Sequence, residues 1–176
     1  MTTLLEHKPK SGDYAPFYAN YVAAVDTDDI VGYLVAQQSA MIEFLKEIVW
    51  EKWELAYAPK KWTLAEVVLH MIDGERIFAC RALRIARGDT TPLPGFEQDD
   101  YVPNSDAAGR TPASIVDEFI AVREASIQLF KNFTDTMWER RGVASNTEVT
   151  VSALAYIIAG HTEHHLKILR ERYLGH

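Results

Sequence analysis

Apolar residues recur at helical spacing in four separated stretches of the chain, and no stretch alternates long enough to build a sheet. The first stretch runs through Ile30, Leu34, Met41, Phe44, Leu45 and Ile48. Acidic residues from Asp26 to Asp29 suit its start. It is expected to end before Ala58–Pro59, because proline disfavours helix in the preceding residue. The second opens at Thr63-Leu-Ala-Glu66, a capping box in which threonine and glutamate satisfy each other's orphan amides. It runs to about Ala86, where Gly88 supplies a stop. Its apolar residues go nearly all round, with Val67, Val68, Met71 and Phe78 on one side and Leu69, Ile72, Ala79 and Leu83 on another. A helix of this kind is buried on both sides. The third opens at Thr111-Pro112 and carries Ile115, Phe119, Val122, Ile127 and Phe130. The fourth spans Thr150 to Tyr173, with Leu154, Ile157, Ile158, Ile168 and Leu169 as its stripe.

The intervening segments complete an all-α reading, a four-helix bundle of residues 27–176 preceded by an arm of residues 1–26. Pro9, Gly12 and Pro16 interrupt any helical pattern in the arm. Its Tyr14, Phe17, Tyr18 and Tyr21 would be costly to expose, so the arm is expected to lie over the bundle. Trp50, Trp53, Tyr57 and Trp62 read as a hydrophobic plug over one end rather than as ligand-stacking residues. The connection from Asp89 to Gly109 is long for a compact domain and fits a crossover between the second and third helices.

Composition sets broad limits. The 176 residues are 48% hydrophobic and 24% charged, which suits one globular domain with a sizeable core. A formal net charge of −7 without a basic cluster argues against a nucleic-acid partner. Cys80 is the sole cysteine, so no intrachain disulfide exists; it reads as a small buried hydrophobe. No apolar run has the length of a signal peptide or a membrane span, and the expectation is a soluble cytoplasmic protein without membrane partners.

The candidate chemistry lies in the last helix. His161 and His165 are four residues apart, so they stand on one face, in the middle of the apolar stripe. Two imidazoles aimed at the core need partners. A divalent metal ion would serve both, and carbonyl or carboxylate partners would serve equally. His70 is the remaining histidine inside a long helix away from this stripe, and it would complete a set of three with open coordination positions. His164 reads as a rim residue; His7 and His176 are poorly placed. Three imidazoles suit several divalent ions, zinc or nickel first among them. Glu75, on an apolar side of its helix, needs a partner, a metal or a proton. Arg81 could hold a substrate carboxylate, although a salt bridge to Asp73 or a crossover acid is the stronger expectation. Phe96 and Tyr101, beside Glu97, Asp99 and Asp100, form either a substrate-binding loop or a cap on the core.

Three segments carry a resemblance to a family. YAPKKWTLAEVVLHMIDGERIFACRALRIARGD from Tyr57, LPGFEQDDYV from Leu93 and GHTEHHLKILRERY from Gly160 resemble the DinB-like (YfiT-type) proteins. The resemblance implies an up-down-down-up four-helix bundle, commonly dimeric. It also implies a divalent metal held by one histidine of the second helix and an H-x-x-x-H of the fourth, here His70, His161 and His165. Relatives of this kind imply a metal-dependent transfer of a low-molecular-weight thiol to a small-molecule electrophile. A metal-dependent hydrolase, or a non-catalytic stress-linked metal-binding protein, is the alternative. Because the second helix is apolar on two sides, a homodimer is expected with Leu69, Ile72 or Leu83 near its interface, unless the arm covers them instead.

Overall fold

Residues 7–175 are described by a computed structural model; residues 1–6 of the arm and His176 lie outside the described residues. The fold is predominantly helical, and its frame is four long helices. Helix α1 (Ile30–Glu47) is capped by Asp29, whose carboxylate accepts from the Gly32 amide at 2.8 Å. It stops well before Ala58, and a separate turn of helix, Trp50–Trp53, follows. The break at Ile48 lets Trp53 fold back into the core, where its indole donates to the freed Ile48 carbonyl at 3.4 Å.

Helix α2 (Leu64–Ala86) has the expected capping box: the Thr63 amide donates to Glu66 Oε2 at 2.7 Å, and the Glu66 amide to Thr63 Oγ1 at 3.2 Å. Gly88, at φ +84°, turns the chain out of it. Helix α3 (Pro112–Lys131) and helix α4 (Val151–Ile168) are capped by Thr111 and Thr150. Helix α2 packs against both α3 and α4, and α1 closes the ring by contacting the same two. No helix among the described residues is long and apolar enough to cross a membrane.

The all-α expectation is corrected in one place. Strands β1 (Arg141–Ala144) and β2 (Thr147–Thr150) pair antiparallel just before α4. Their two-residue turn, Ser145–Asn146, has φ of +51° and +61°, the left-handed geometry that matches strand twist. The hairpin is four residues a side, too short to show as alternation. It anchors the crossover, since the Leu93 amide donates to the Val143 carbonyl (2.8 Å) and the Ser145 amide to the Leu93 carbonyl (3.0 Å).

The arm lies over the bundle as expected, but it is not irregular. Turns of helix at Pro16–Tyr18 and Ala19–Ala23 run onto α4. The Tyr21 carbonyl rests on Gly160, where any Cβ would collide with it. Phe17 is 77% exposed, contrary to expectation, whereas Tyr14, Tyr18 and Tyr21 pack on the core. Leu69 and Ile72 are not available to a partner chain, because they are buried in one cluster with Met41, Leu45, Ile115 and Phe119. Leu83 remains 38% exposed. Cys80 is exposed rather than buried.

A polar knot ties the four helices together. Arg123 of α3 is fully buried; its Nε donates to both carboxylate oxygens of Glu75 on α2, at 2.9 and 3.0 Å. Its other nitrogens donate to Gln37 Oε1 on α1 (2.8 Å) and Thr162 Oγ1 on α4 (2.9 Å). Gln37 in turn donates to the Ala159 carbonyl and to Glu163, which also accepts from Tyr33. The partner that Glu75 requires is therefore an arginine. Replacing Arg123 by Leu strands a buried carboxylate and is expected to cost about 3–5 kcal/mol in urea unfolding. The paired change Arg123→Met with Glu75→Leu recovers much of that loss.

Candidate metal centre

Helix α4 turns His161 and His165 into the bundle, and α2 brings His70 to meet them. One ring nitrogen from each lies within 4.8 Å of the others. The Nε2 atoms of His70 and His161 are 3.0 Å apart. All three rings are buried, at 4%, 6% and 9% exposure. Gly74 makes room for one of them, since a Cβ there would stand 3.1 Å from His161 Cε1.

Among the described residues the rings do not find the carbonyl or carboxylate partners that would make them ordinary core histidines. Among the described residues they meet one another, and His165 Nδ1 is buried without any hydrogen-bond partner. Leaving such an atom unsatisfied costs on the order of 1–3 kcal/mol. Burial lowers the pKa of each ring. His70 is pushed down to about 4, despite the Asp99 carboxylate, which acts in the opposite direction. His165 is pushed down to about 3, with His70 and His164 adding to the effect of burial. His161 lies well below its ordinary value, through burial first and then its histidine neighbours. At neutral pH all three are therefore neutral imidazoles, the form that ligates a metal. Converging lone pairs and an orphaned nitrogen fit a divalent cation.

The cluster forms one side of a cavity of about 390 Å³. Tyr18 and Tyr21 of the arm, Phe78 of α2, and Phe96 with Glu97 of the crossover form the other walls. Tyr21 and Phe78 meet the His161 ring edge-on, with centroids 5.5 and 6.1 Å away. Trp62 packs on His70 from behind, at 5.0 Å, so the tryptophan cluster does more than cover an end. His164 stands exposed at the mouth, as a rim residue should. The role of the arm was not read from the sequence. The available signals were its density of tyrosines and the glycine directly before His161.

The other expected site residues divide. Phe96 lines the histidine cavity. Tyr101 packs behind it with its ring tilted, 5.6 Å away, in an adjoining cavity of about 310 Å³. Arg81 lines that second cavity and does not reach the histidines. The expected salt bridge is also corrected: Arg81 Nη2 donates to the Pro94 carbonyl (2.7 Å) and Ser145 Oγ (3.1 Å) and, among the described residues, to no acid, while Asp73 pairs with Arg76.

Comparison with known proteins bears on the family and the fold. The family model of the DinB superfamily matches residues 25–169. The structure resembles YfiT from Bacillus subtilis, described as a probable metal-dependent hydrolase with an unusual four-helix bundle topology. The TM-score is 0.70 at 14% identity, over 95% of this chain and 98% of that one. It also resembles the mycothiol-dependent maleylpyruvate isomerase, with a TM-score of 0.67 at 9% identity, over 81% of this chain. This chain spans 60% of that enzyme's length. At such identities the likeness is one of fold. No curated protein sequence matches the chain.

Two outcomes follow from the cluster. Changing His70, His161 or His165 to Ala is expected to reduce bound divalent metal sharply, as read by elemental analysis. In chelator-treated protein the unfolded chain binds more protons than the fold between an ordinary histidine pKa of about 6.5 and the lowered values. Stability is thus greatest above about pH 6.5 and falls as pH drops towards 4 and then 3. The slope is at most about 1.4 kcal/mol per pH unit for each histidine. Urea unfolding across that range checks the sign, and His165→Ala should flatten the curve.

Proposed function

This chain belongs to the DinB superfamily, and from that premise we propose that it is a divalent-metal-dependent S-transferase joining a low-molecular-weight thiol to a small electrophile. The observation that carries the reading is the convergence of three neutral imidazoles, none hydrogen-bonded to a carboxylate among the described residues, on one side of an aromatic-walled cavity. His70, His161 and His165 would hold the ion, zinc or nickel suiting them best. A bound divalent cation supplies Lewis acidity, which favours thiolate, the nucleophilic form, over thiol.

The chain's own residues supply the remainder. Tyr18, Tyr21, Phe78 and Phe96 exclude water from the reacting end and give apolar contact to an electrophile. Glu97 and Gln98 provide hydrogen-bonding groups at the crossover wall. His164, whose pKa is lowered by burial and then by Lys167, is neutral at neutral pH and can accept a proton at the cavity mouth. In this reading the four long helices take an up-down-down-up order, which is what the long crossover between α2 and α3 serves.

A hydrolase is the second reading, favoured by the fold shared with YfiT over nearly the full length of both chains. Zinc- or nickel-loaded protein offered a panel of thiols with monochlorobimane separates the two. Conjugation that needs both thiol and metal, and that His161→Ala reduces to background, is the expected result. Metal-dependent cleavage of p-nitrophenyl acetate without thiol would assign a hydrolase instead. Bound metal with neither activity would leave a non-catalytic metal-binding protein.

A further inference from the structure

The second cavity, on the far side of Phe96, has no place in the chemistry above, yet it contains an unusual charge. Arg81 is 5% exposed, and among the described residues no carboxylate pairs with it. This is uncommon in any fold, because buried charges are ordinarily paired. It is more so in a chain whose 25 acids outnumber its 18 lysines and arginines. The contrast with Arg123 is direct: that arginine is fully buried and is neutralised by Glu75. Arg76 and Arg84 line the same cavity as Arg81, but each has its acid, Glu118 and Asp89.

What Arg81 does have is neutral company. One nitrogen, Nη2, donates to the Pro94 carbonyl and the Ser145 hydroxyl, which fixes the guanidinium against the crossover and the hairpin turn. The Phe78 and Phe96 rings each lie 5.8 Å from its central carbon. Neither Nε nor Nη1 has a protein acceptor among the described residues. A guanidinium held rigid through one nitrogen, with further donors unspent, is preorganised for a planar anion. The apolar cavity walls, among them Ile77, Leu93 and Tyr101, suit an organic body rather than a bare inorganic ion.

We propose that Arg81 is the floor of a carboxylate-binding subsite, and that the ligand it takes is a small organic acid. Its position gives the subsite a use, which rests on the S-transferase reading. Phe96 lines both cavities, and Phe78 touches Arg81 on one side and His161 on the other. A ligand lying past Phe96 holds its carboxylate at Arg81 and its reacting end beside the histidines. Substrates bearing a carboxylate a short distance from the reacting atom are then selected over neutral ones.

The chain contains its own reporter. Cys80 is its sole cysteine, is exposed, and lines this cavity. Alkylation of Cys80 by N-ethylmaleimide, which is uncharged, therefore reads occupancy without any turnover. Benzoate is expected to slow the reaction saturably in chelator-treated and metal-loaded protein alike. Benzamide, similar in shape and neutral, is expected not to. Arg81→Gln should weaken the benzoate effect by roughly tenfold or more, the scale of a lost charge-assisted hydrogen bond. Equal protection by benzoate and benzamide, protection by neither, or undiminished protection in Arg81→Gln overturns the subsite. The wild-type comparison of the two ligands decides even where the variant folds poorly. Benzoate protection in a protein without thiol transfer removes the S-transferase reading and keeps the subsite; transfer without benzoate protection does the reverse.

Discussion

The architecture depends on one buried guanidinium. Arg123 sits at the centre of the four long helices and spends its donors on a side chain from each of the other three. A buried arginine with one acid and two neutral acceptors is fully committed in direction. Gln37, Glu75 and Thr162 must come to it in a single arrangement, so the helices are fixed in relative rotation and height as well as in proximity. Apolar packing alone tolerates many registers. A polar knot of this kind tolerates few, because each misplacement leaves a charge or an amide unsatisfied in low dielectric.

That constraint bears directly on the histidines. Thr162, which accepts from Arg123, directly follows His161, and Glu75 directly follows Gly74, against which His161 rests. The knot and the histidine cluster thus share backbone on both α2 and α4. Holding the first in register places the second. The cluster itself opposes folding when nothing is bound, since it buries three imidazoles with an orphaned nitrogen. The same burial keeps them neutral and ready to ligate.

Around this rigid centre the cavity walls come from irregular segments. The arm is seated by a backbone contact on Gly160, and the crossover by two hydrogen bonds around Leu93 and by Arg81. Both segments deliver aromatic side chains to one space from distant parts of the chain. Scaffold and walls are therefore separable: helices set where the ligating nitrogens lie, and loops set what can approach them.

Local rules determined much of this protein from its sequence. Helix caps at Thr63 and Thr111, the stop at Gly88, and a four-residue histidine spacing inside an apolar stripe depend on neighbours a few residues away, and they hold in the structure. The need of Glu75 for a partner was also legible, because burial follows from periodicity. The identity of that partner was not, since Arg123 lies 48 residues on and nothing local points one to the other. The same limit hid the arm as a wall of the cavity, the exposure of Cys80, what covers Leu69 and Ile72, and the side of Phe96 on which Arg81 falls. Each is set by how whole helices rotate against one another. That rotation is settled by the sum of many packing contacts and one buried charge, not by the spacing of residues along a single helix.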